Sequence, residues 1–503
     1  MTSLWLDRPD LPAYPPPPSG RRFDVVVVGA GLTGLTTALL LARSGCSVAV
    51  VEARHVGAGT TGNTTAKVTV LQGTKLSRIA RRHSPSTVRD YVTGNIEGQQ
   101  WLLRYCAEHD VPVQRRPAIT YAATEQGRDA VGAEHDAVHE AGLPVEWLED
   151  AGLPFETFGA VRLADQAQLD PLDVLTTLAL DVEAHGGEIF TGRRVLGLDG
   201  TRPCRLRLAD GEIVADQVVL ATGTPVLDRG AFFARLEPSR SYAIALQVPG
   251  DIPRPMFISA DAPTRSLRTA GADGDERLLV GGSGHPTGRA LSEREHVMEL
   301  TRWAADHFPG ATPTHVWSAQ DYRGMDQLPS VGPLVPGSDR VLVATGYDKW
   351  GMAMAVGAAL TLSAIVLDGQ IPWAHSLRTW RPSALTGLDQ AVRFNAGVAA
   401  RLAADWASPR VRSTGVAPPE GEGRVELDGQ RPVAVSTVDG RTTRLSAACT
   451  HLGGIVSWND AEHSWDCPLH GSRFTAGGEV LEGPATCALA RLSRSGAPTA
   501  EPG

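Results

Sequence analysis

The sequence predicts an α/β region at the N-terminal end of the chain and a small all-β domain at its C-terminal end. Four consecutive valines, Val25 to Val28, are typical of a buried parallel strand, and an apolar helical pattern follows from Leu32 to Ala42. Helical patterns alternate with short strands from residue 75 to 190, and residues 240 to 330 are rich in strands and turns. A stretch rich in Pro, Gly and Ser, residues 407 to 423, then separates this region from short C-terminal strands.

Composition limits the classes of function. The net charge of -9 argues against nucleic acid or an anionic membrane as a partner. The longest apolar run, Met352 to Leu367, is short for a membrane span and favours a buried helix, so no membrane insertion is expected. The N-terminal stretch lacks the pattern of a signal peptide, and six cysteines are too few for a disulfide scaffold. We therefore expect a cytoplasmic protein.

The first candidate site is a glycine-rich turn directly after the valine strand. Gly29, Gly31 and Gly34 form the spacing GxGxxG, and Glu52 ends the second strand 21 residues beyond Gly31. Gly29 allows a tight turn, Gly31 lets a pyrophosphate approach the backbone, and Gly34 lets the helix pack closely on the strand. The helix N-terminus favours the phosphate charge, and Glu52 can accept hydrogen bonds from ribose hydroxyls. The pattern predicts a Rossmann-like dinucleotide site.

Later segments favour FAD as the dinucleotide. A run of small and hydroxyl-bearing residues follows Glu52, and two strands, VVLATG and RVLVATG, end in glycine. The helix that begins after the second of these strands can stabilise negative charge on a reduced flavin. The candidate cofactor-binding residues are Gly29, Gly31, Leu32, Thr33, Gly34, Glu52, Ala53, Arg54, Thr60, Thr61, Gly62, Thr65, Ala66, Lys67, Val195, Ala221, Thr222, Gly223, Gly346, Tyr347, Asp348, Lys349, Gly351 and Met352.

The second candidate site is the segment CTHLGGIVSWNDAEHSWDCPLHGSRF, residues 449 to 474. Cys449-x-His451 and Cys467-x-x-His470 place two thiolates and two imidazoles on two loops, and these four residues are the candidate metal ligands. The set fits a tetrahedral zinc site. It also fits a Rieske [2Fe–2S] centre, in which two cysteines hold one iron and two histidines hold the other.

Residues from about 22 to 380 resemble the D-amino acid oxidase and glycine oxidase superfamily of FAD-dependent oxidoreductases. The resemblance rests on the glycine turn, on VVLATG and on QLPSVGPLVPGSDRVLVATGYDKWGMAMA, which is similar to the superfamily's C-terminal signature. It implies that one α/β domain holds FAD and that a largely antiparallel β domain caps the substrate. It also implies removal of hydride from carbon, usually beside an amine nitrogen.

The loops of the second site resemble the two cluster loops of Rieske proteins, which implies a [2Fe–2S] cluster. The resemblance rests on HLGG, on PLHGSRF and on the strand-rich frame from about 424 to 490. Gly454 and Leu469 stand where quinol-oxidising Rieske proteins have an extra disulfide, so no loop disulfide is expected. Ser472 matches a residue that hydrogen-bonds a cluster sulfide, but Phe474 replaces the tyrosine of high-potential members. One such bond in place of two implies an intermediate reduction potential.

Candidate catalytic residues come from lysine usage and from position. Only three of the 47 basic residues are lysines, and Lys67 and Lys349 fall in segments expected near the flavin. A compact ammonium group there would raise the flavin potential or assist its reaction with oxygen, although solvated strand ends are an equal alternative. Tyr242 and Arg323 are candidates to bind a substrate carboxylate, with a structural role as the alternative.

These observations predict the following organisation. A Pro-rich arm covers residues 1–21. The FAD-dependent oxidoreductase covers 22–386, with FAD-binding segments at about 22–75, 160–230 and 320–386 and a substrate domain at about 76–159 and 231–319. A helix and linker cover 387–423, the Rieske domain 424–497 and a disordered tail 498–503.

The leading hypothesis is an FAD-dependent oxidoreductase that removes hydride from a small amine or amino-acid-like substrate. It would pass single electrons through the [2Fe–2S] cluster to a redox partner protein or O2. One alternative is a flavin oxidase with the cluster as an accessory, and another is an electron-transfer module fed by NAD(P)H or ferredoxin. An oxygenase would need an iron triad, and the nearest candidate, His135-Asp136-x-x-His139, lies on a polar helix and lacks the oxygenase spacing.

Overall fold

The structure, a computed structural model, describes residues 1–9, 12–200, 202–271, 274–407 and 415–493. The predicted disordered tail, 498–503, and residues 408–414 of the predicted linker lie outside the described residues.

The chain is built from 24 strands and eight α-helices in this described part. The strands are β1 (Arg22–Val28), β2 (Val48–Val51), β3 (Lys67–Val68), β4 (Val113–Tyr121), β5 (Val145–Leu148), β6 (Ala160–Leu169), β7 (Glu188–Phe190), β8 (Gly197–Asp199), β9 (Cys204–Leu208), β10 (Gly211–Leu220), β11 (Leu236–Gln247), β12 (Met256–Ser259), β13 (Arg265–Ala270), β14 (Arg277–Pro286), β15 (Thr312–Gly324), β16 (Ser330–Pro333), β17 (Val341–Thr345), β18 (Gly423–Asp428), β19 (Arg431–Val438), β20 (Arg441–Ser446), β21 (Ser457–Asn459), β22 (Ser464–Asp466), β23 (Arg473–Thr475) and β24 (Val480–Glu482). The α-helices are α1 (Leu32–Arg43), α2 (Lys75–Ala80), α3 (Pro85–Glu108), α4 (Gly127–Glu140), α5 (Pro171–Ala184), α6 (Glu293–His307), α7 (Gly351–Val366) and α8 (Leu388–Ala407).

The first sheet is the predicted Rossmann-like layer. Its main order is β16-β17-β10-β1-β2-β7, and along this order all neighbouring pairs are parallel except β16 with β17. Strand β9 also pairs with β10, and β8 with β9, both antiparallel. The four valines of β1 are buried on both faces, as a central parallel strand requires. On one face α1 packs against α5 and α7, and α7 packs against α3. This arrangement places the turns at the carboxyl ends of β1, β10 and β17 at one edge of the sheet.

The second sheet is largely antiparallel and takes in β3 and β6, which the predicted boundaries assigned to the FAD-binding segments. Its order is β15-β11-β14-β13-β12-β4-β6-β3, with β5 paired to β6, and every pair is antiparallel except β12 with β4. Helix α6 covers β14 and β11. The mixed architecture confirms the fold class expected from the sequence, an α/β layer with a largely antiparallel β layer beside it.

The C-terminal domain consists of a three-stranded sheet, β18-β19-β20, and a four-stranded sheet, β21-β22-β23-β24. Its core holds the fully buried Trp465 and Phe474. Helix α8, which the sequence suggested only as a link between domains, adds Val398 to this core. The indole nitrogen of Trp406, near the end of α8, also donates a hydrogen bond of 3.1 Å to the carbonyl oxygen of Gly453 in a candidate cluster loop. The helix also contacts the oxidoreductase, where the side-chain amide of Asn395 donates to the carbonyl oxygen of Ala234 at 2.9 Å, so it packs against both parts of the chain.

The N-terminal arm is fastened to the oxidoreductase. Trp5 is buried, and its indole nitrogen donates to the carbonyl oxygen of Thr64 at 2.7 Å. The hydroxyl of Ser3 donates to the carbonyl oxygen of Gly62 at 2.6 Å. The arm thus holds the loop of small residues that follows β2, a role that its proline content did not indicate.

Helix α7 is the apolar helix predicted from the run Met352 to Leu367, and most of its residues are buried. Within the described ranges, no helix combines the length and the apolar character needed to cross a membrane.

Candidate flavin and cluster sites

The glycine turn between β1 and α1 lies where three elements of backbone approach one another. Gly29 has a φ of +107°, and a Cβ atom there would lie 2.6 Å from the carbonyl oxygen of Ala221, at the end of β10. A Cβ atom on Gly34 would overlap the carbonyl oxygen of Gly29. Gly31 faces outward from this contact, toward the hydroxyl of Thr61. The first and third glycines therefore permit the packing, while the second leaves room for a ligand.

Glu52 is held rigidly at the end of β2. One carboxylate oxygen accepts a hydrogen bond of 3.0 Å from the backbone N–H of Ala30, in the glycine turn. The other accepts a hydrogen bond of 2.9 Å from the backbone N–H of Arg54. The carboxylate is thus fixed beside the turn in the position that ribose recognition requires.

A cleft of about 1450 Å³, including its open mouth, follows the edge of the first sheet. Its size exceeds the usual range for small-ligand pockets, which suits a long cofactor. Most predicted cofactor-binding residues line it. These are Gly29, Gly31, Leu32, Thr33, Glu52, Ala53, Arg54, Thr60, Thr61, Val195, Ala221, Thr222, Gly223, Gly346, Tyr347, Lys349, Gly351 and Met352.

Six predicted cofactor-binding residues lie outside the cleft lining. They are Gly34, Gly62, Thr65, Ala66, Lys67 and Asp348. Gly34 and Gly62 support the lining instead, because a Cβ atom on either would overlap a carbonyl oxygen of the adjoining turn. Asp348 is buried and accepts a hydrogen bond of 2.7 Å from the ammonium group of Lys75, so it stabilises the loop before α7.

Only one of the four predicted catalytic residues, Lys349, lines the cleft. Its ammonium group donates to the hydroxyl of Ser241 at 2.6 Å. Lys67 lies behind the wall, where it donates to the carbonyl oxygen of Phe257, and burial holds its pKa well below the ordinary value.

Tyr242 and Arg323 also have partners away from the cleft lining. The hydroxyl of Tyr242 lies 3.2 Å from the ring of His285. Arg323 forms an ion pair with Glu237 on the neighbouring strand, β11. Neither residue is among those that line the cleft, and the contacts of both are structural.

Strand β15 supplies cleft residues that the sequence reading missed. Gln320, Asp321 and Tyr322 all line the cleft near its end. They lie in the mixed stretch AQDY of a strand with no clear apolar alternation, and a strand pattern alone does not show which cavity a side chain faces.

Asp321 is the one of these three whose pKa is shifted toward neutral pH. Both its carboxyl oxygens are shielded from solvent, and in the described part of the chain neither has a well-formed hydrogen bond. Burial raises its pKa to about 7, opposed mainly by the nearby Lys349 ammonium group, while Asp348 raises it further and Lys75 lowers it. A carboxyl group that changes charge near neutral pH therefore stands in the cleft wall.

Asp321→Asn is expected to remove a pH-dependent loss of stability. A pKa raised from its ordinary value of 3.8 to about 7 means that the stabilising contribution is complete below pH 3.8 and is lost as the pH rises through 7. At pH 8 the variant should therefore be more stable than the wild type by roughly 2–4 kcal/mol, and the gap should narrow at pH 5 and close only below about pH 4. Chemical denaturation at both pH values measures this. The exposed Asp306→Asn should show no such gap, and an equal gap in both variants would contradict the assignment.

The four candidate cluster residues converge in the C-terminal domain. Cys449 and Cys467 are buried, and a hydrogen bond between their thiols lowers the pKa of Cys449 to about 7. The rings of His451 and His470 lie nearly perpendicular with their centroids 5.1 Å apart. Nδ1 of His470 is buried and has no hydrogen-bond partner among the described residues. Two thiols, two imidazoles and an unsatisfied ring nitrogen fit the ligands that a Rieske cluster needs.

Gly454 and Leu469, which stand where other Rieske proteins have a disulfide, pack directly against each other. A Cβ atom on Gly454 would lie 2.6 Å from Cδ1 of Leu469 and 3.0 Å from the sulfur of Cys467. The leucine side chain therefore occupies the space between the two loops. Ser472, the residue expected to face the cluster, is buried and its hydroxyl accepts a hydrogen bond of 3.0 Å from the backbone N–H of Ala485.

The candidate oxygenase triad lies elsewhere, on the surface of α4. The rings of His135 and His139 stack with centroids 6.0 Å apart, and the side chain of Asp136 is 86% exposed. This is the geometry of a solvated helix face, as expected from the sequence.

Comparisons with known proteins match both parts of the chain. The family model for FAD-dependent oxidoreductases named DAO matches residues 24–365, and the Rieske [2Fe–2S] domain model matches residues 411–493. Over 495 residues the chain is 32% identical to YhfW of Bacillus subtilis (strain 168), whose name describes it as a Rieske 2Fe-2S iron-sulfur protein, and the alignment covers 97% of each chain. The cytochrome b6-f complex iron-sulfur subunit of Chlorobaculum thiosulfatiphilum is 38% identical over 66 residues, which are 13% of this chain and 36% of that subunit.

Solved structures share the fold of the larger part of the chain. Glycine oxidase from Geobacillus kaustophilus superposes with a TM-score of 0.61 at 20% identity and covers 72% of this chain and 99% of its own. L-proline dehydrogenase from P. horikoshii superposes with a TM-score of 0.58 at 17% identity, and the superposition covers 71% of this chain and 96% of the dehydrogenase. Of the two metal sites that the cysteine and histidine spacing allowed, the match to the Rieske domain model supports the [2Fe–2S] cluster and not zinc. The chain therefore belongs to the DAO family of FAD-dependent oxidoreductases and carries a Rieske [2Fe–2S] domain in addition.

Proposed function

We propose that the protein oxidises a small amine or amino-acid-like substrate and passes the electrons singly through the Rieske domain to a redox partner or O2. When bound, FAD supplies a hydride acceptor and the [2Fe–2S] cluster supplies a one-electron carrier. The observation that carries the proposal is that the Rieske domain forms part of the flavin cleft. Leu481, Glu482 and Gly483 of that domain line the cleft together with the residues of the first sheet.

A buried hydrogen-bonded path joins the cleft lining to a cluster loop. The hydroxyl of Tyr322 lies 3.3 Å from the carbonyl oxygen of Gly483 and accepts a hydrogen bond of 2.8 Å from the side-chain amide of Gln320. The same amide donates at 2.8 Å to the carbonyl oxygen of Gly471, the residue that follows His470. Two side chains therefore connect the wall of the flavin cleft to the loop of a proposed cluster ligand.

Buried charges hold the Rieske domain in this position. Arg240, on β11, is 1% exposed and lies 2.6 Å from the carboxylate of Glu462 and 3.6 Å from that of Glu482. Arg473 lies 2.8 Å from Glu462 and 3.0 Å from Asp466. Separating the domains would remove both carboxylate partners of Arg240, while Glu462 and Glu482 would keep Arg473, so the contact favours one docked arrangement.

Arg240→Met is expected to weaken this docking strongly. The variant keeps most of the side-chain volume but leaves Glu462 and Glu482 with Arg473 as their only cationic partner in the described contact. Removing one partner of a buried ion pair should cost about 3–5 kcal/mol of the free energy of unfolding. Arg302→Met, on the exposed face of α6, is the matched control and should cost less than about 1 kcal/mol. Similar losses in urea denaturation of the two variants would contradict the docking role.

The proposal assigns roles to the residues described above. Cys449 and Cys467 would hold one iron and His451 and His470 the other. The cleft-lining residues would hold FAD, with its pyrophosphate at the glycine turn. Lys349, the one predicted catalytic residue that lines the cleft, would stabilise negative charge on the substrate or the cofactor there.

The experiment that tests the function uses the purified, oxidised holoprotein without oxygen. Amines, amino acids and NAD(P)H are mixed in separately while flavin absorbance and the EPR signal of the reduced cluster are followed together. We expect an amine or amino acid to bleach the flavin and the cluster signal to follow. A response to NAD(P)H alone would identify an electron-transfer module and overturn the proposal. Flavin bleaching without a cluster signal, with peroxide formed in air, would identify an oxidase.

A further inference from the structure

The histidine side of the proposed cluster faces the flavin domain. The side chain of His451 is 4% exposed and His470 is buried. Phe233, in the short 3₁₀ helix Phe232–Ala234 before β11, lies edge-on to both rings, with centroids 5.3 Å from His451 and 5.1 Å from His470. The environment of both imidazoles is therefore built partly by another domain of the chain.

One polar contact crosses this boundary directly to a proposed ligand. A carboxylate oxygen of Asp228 lies 2.7 Å from Nε2 of His451, which is the distance of a hydrogen bond in which the imidazole donates. Asp228 belongs to the segment that leaves β10. The same segment contributes Thr222, Gly223 and Val226 to the lining of the flavin cleft. A single loop therefore contacts both candidate cofactor sites.

The charges around the two histidines are unequal. Both rings contact Phe233 and each other, and among the described residues the hydrogen bond to a carboxylate is made by His451. A basic side chain, Arg289, contacts the loop of His470, since its Nε donates to the carbonyl oxygen of Pro468 at 2.9 Å. Asp228 thus adds its negative charge at the His451 side, where it acts on the ligand through a bond.

We propose that Asp228 is a positioning residue that holds His451 with Nδ1 toward the iron and lowers the reduction potential of the cluster. A hydrogen bond at Nε2 fixes the ring orientation and makes Nδ1 the ligating nitrogen. A negative charge bonded to a ligand stabilises the more positive, oxidised state of the cluster, so it opposes reduction. Because Asp228 comes from the flavin domain, the cluster reaches its working potential only when the Rieske domain is docked. The inference rests on the proposed ligand set and needs no knowledge of the substrate.

The test is a redox titration of the full-length holoprotein monitored by the EPR signal of the reduced cluster. Asp228→Asn keeps the size of the side chain and removes its charge, and Asp228→Ser is a second neutral variant. Asp228 is 60% exposed on a loop, so the fold should tolerate both changes. The reduction equilibrium should shift at least about tenfold toward the reduced cluster, which corresponds to about 59 mV for one electron.

Two further variants make the result specific. Asp228→Glu restores a carboxylate and should return the potential toward that of the wild type. Asp216→Asn removes a different carboxylate of the same domain, one paired with Arg22 on the surface, and should leave the potential unchanged. Equal potentials for wild type and both neutral variants, at equal iron content, would overturn the proposal. A wild-type protein with no Rieske EPR signal would instead refute the ligand set, and a failed amine screen would leave the potential measurement intact.

Discussion

Gly34→Ala is expected to give a protein that purifies with little or no FAD. The added Cβ would overlap the carbonyl oxygen of Gly29, which belongs to the turn that the pyrophosphate must approach. Neither atom can move alone, because Gly29 is itself packed against the carbonyl oxygen of Ala221. Helix α1 must therefore shift away from β1, and overpacking of this kind costs about 1–3 kcal/mol or more. Each 1.4 kcal/mol that falls on the cofactor site weakens FAD binding about tenfold.

The measurement is the ratio of flavin to protein absorbance after purification and after titration with added FAD. Gly132→Ala is the matched control, since Gly132 lies in α4 and a Cβ there meets no other atom within 4 Å. That variant should keep its FAD and gain up to about 1 kcal/mol of stability from better helix propensity. If Gly34→Ala bound FAD as tightly as Gly132→Ala, the glycine turn would not be the pyrophosphate site.

The two sites differ in how much the sequence alone could predict. The glycine turn and the cluster loops are each formed by residues that are close in the chain, so the spacing of those residues in the sequence predicts the ligand that they bind. The cleft wall formed by Gln320, Asp321 and Tyr322 depends on which way a strand faces after β15 has paired with β11. A one-residue change of register would exchange the two faces of the strand and turn Gln320 and Tyr322, which share one face, to the other side, and no local pattern specifies that register.

Contacts between the domains could not be predicted from the sequence for a related reason. Asp228 and His451 are separated by 223 positions, and no pattern links an aspartate in a loop to a histidine in another domain. The same holds for Arg240 and Glu482. Lysine rarity was likewise an incomplete guide. It singled out Lys349, which lines the cleft, and Lys67, which is buried behind it, because rarity says nothing about side-chain direction.

Cys467→Ser is expected to remove the cluster and leave the flavin in place. A serine hydroxyl is a much poorer ligand for iron than a thiolate, because it is harder and stays protonated at neutral pH. Iron content and the Rieske EPR signal should both fall at least about tenfold. FAD should remain, because Leu481, Glu482 and Gly483 are the sole contribution of the described Rieske domain to the cleft lining.

The control is Cys487→Ser, which changes an exposed cysteine of the same domain and should keep both cofactors. The Cys467→Ser protein then separates the two halves of the proposed relay. A substrate should still bleach its flavin without oxygen, but a one-electron acceptor that draws on the cluster should no longer be reduced. If that acceptor were reduced at the wild-type rate, electrons would leave directly from the flavin, and the buried path through Tyr322 and Gln320 would serve docking alone. If Cys487→Ser lost the cluster as well, the ligand assignment itself would be wrong.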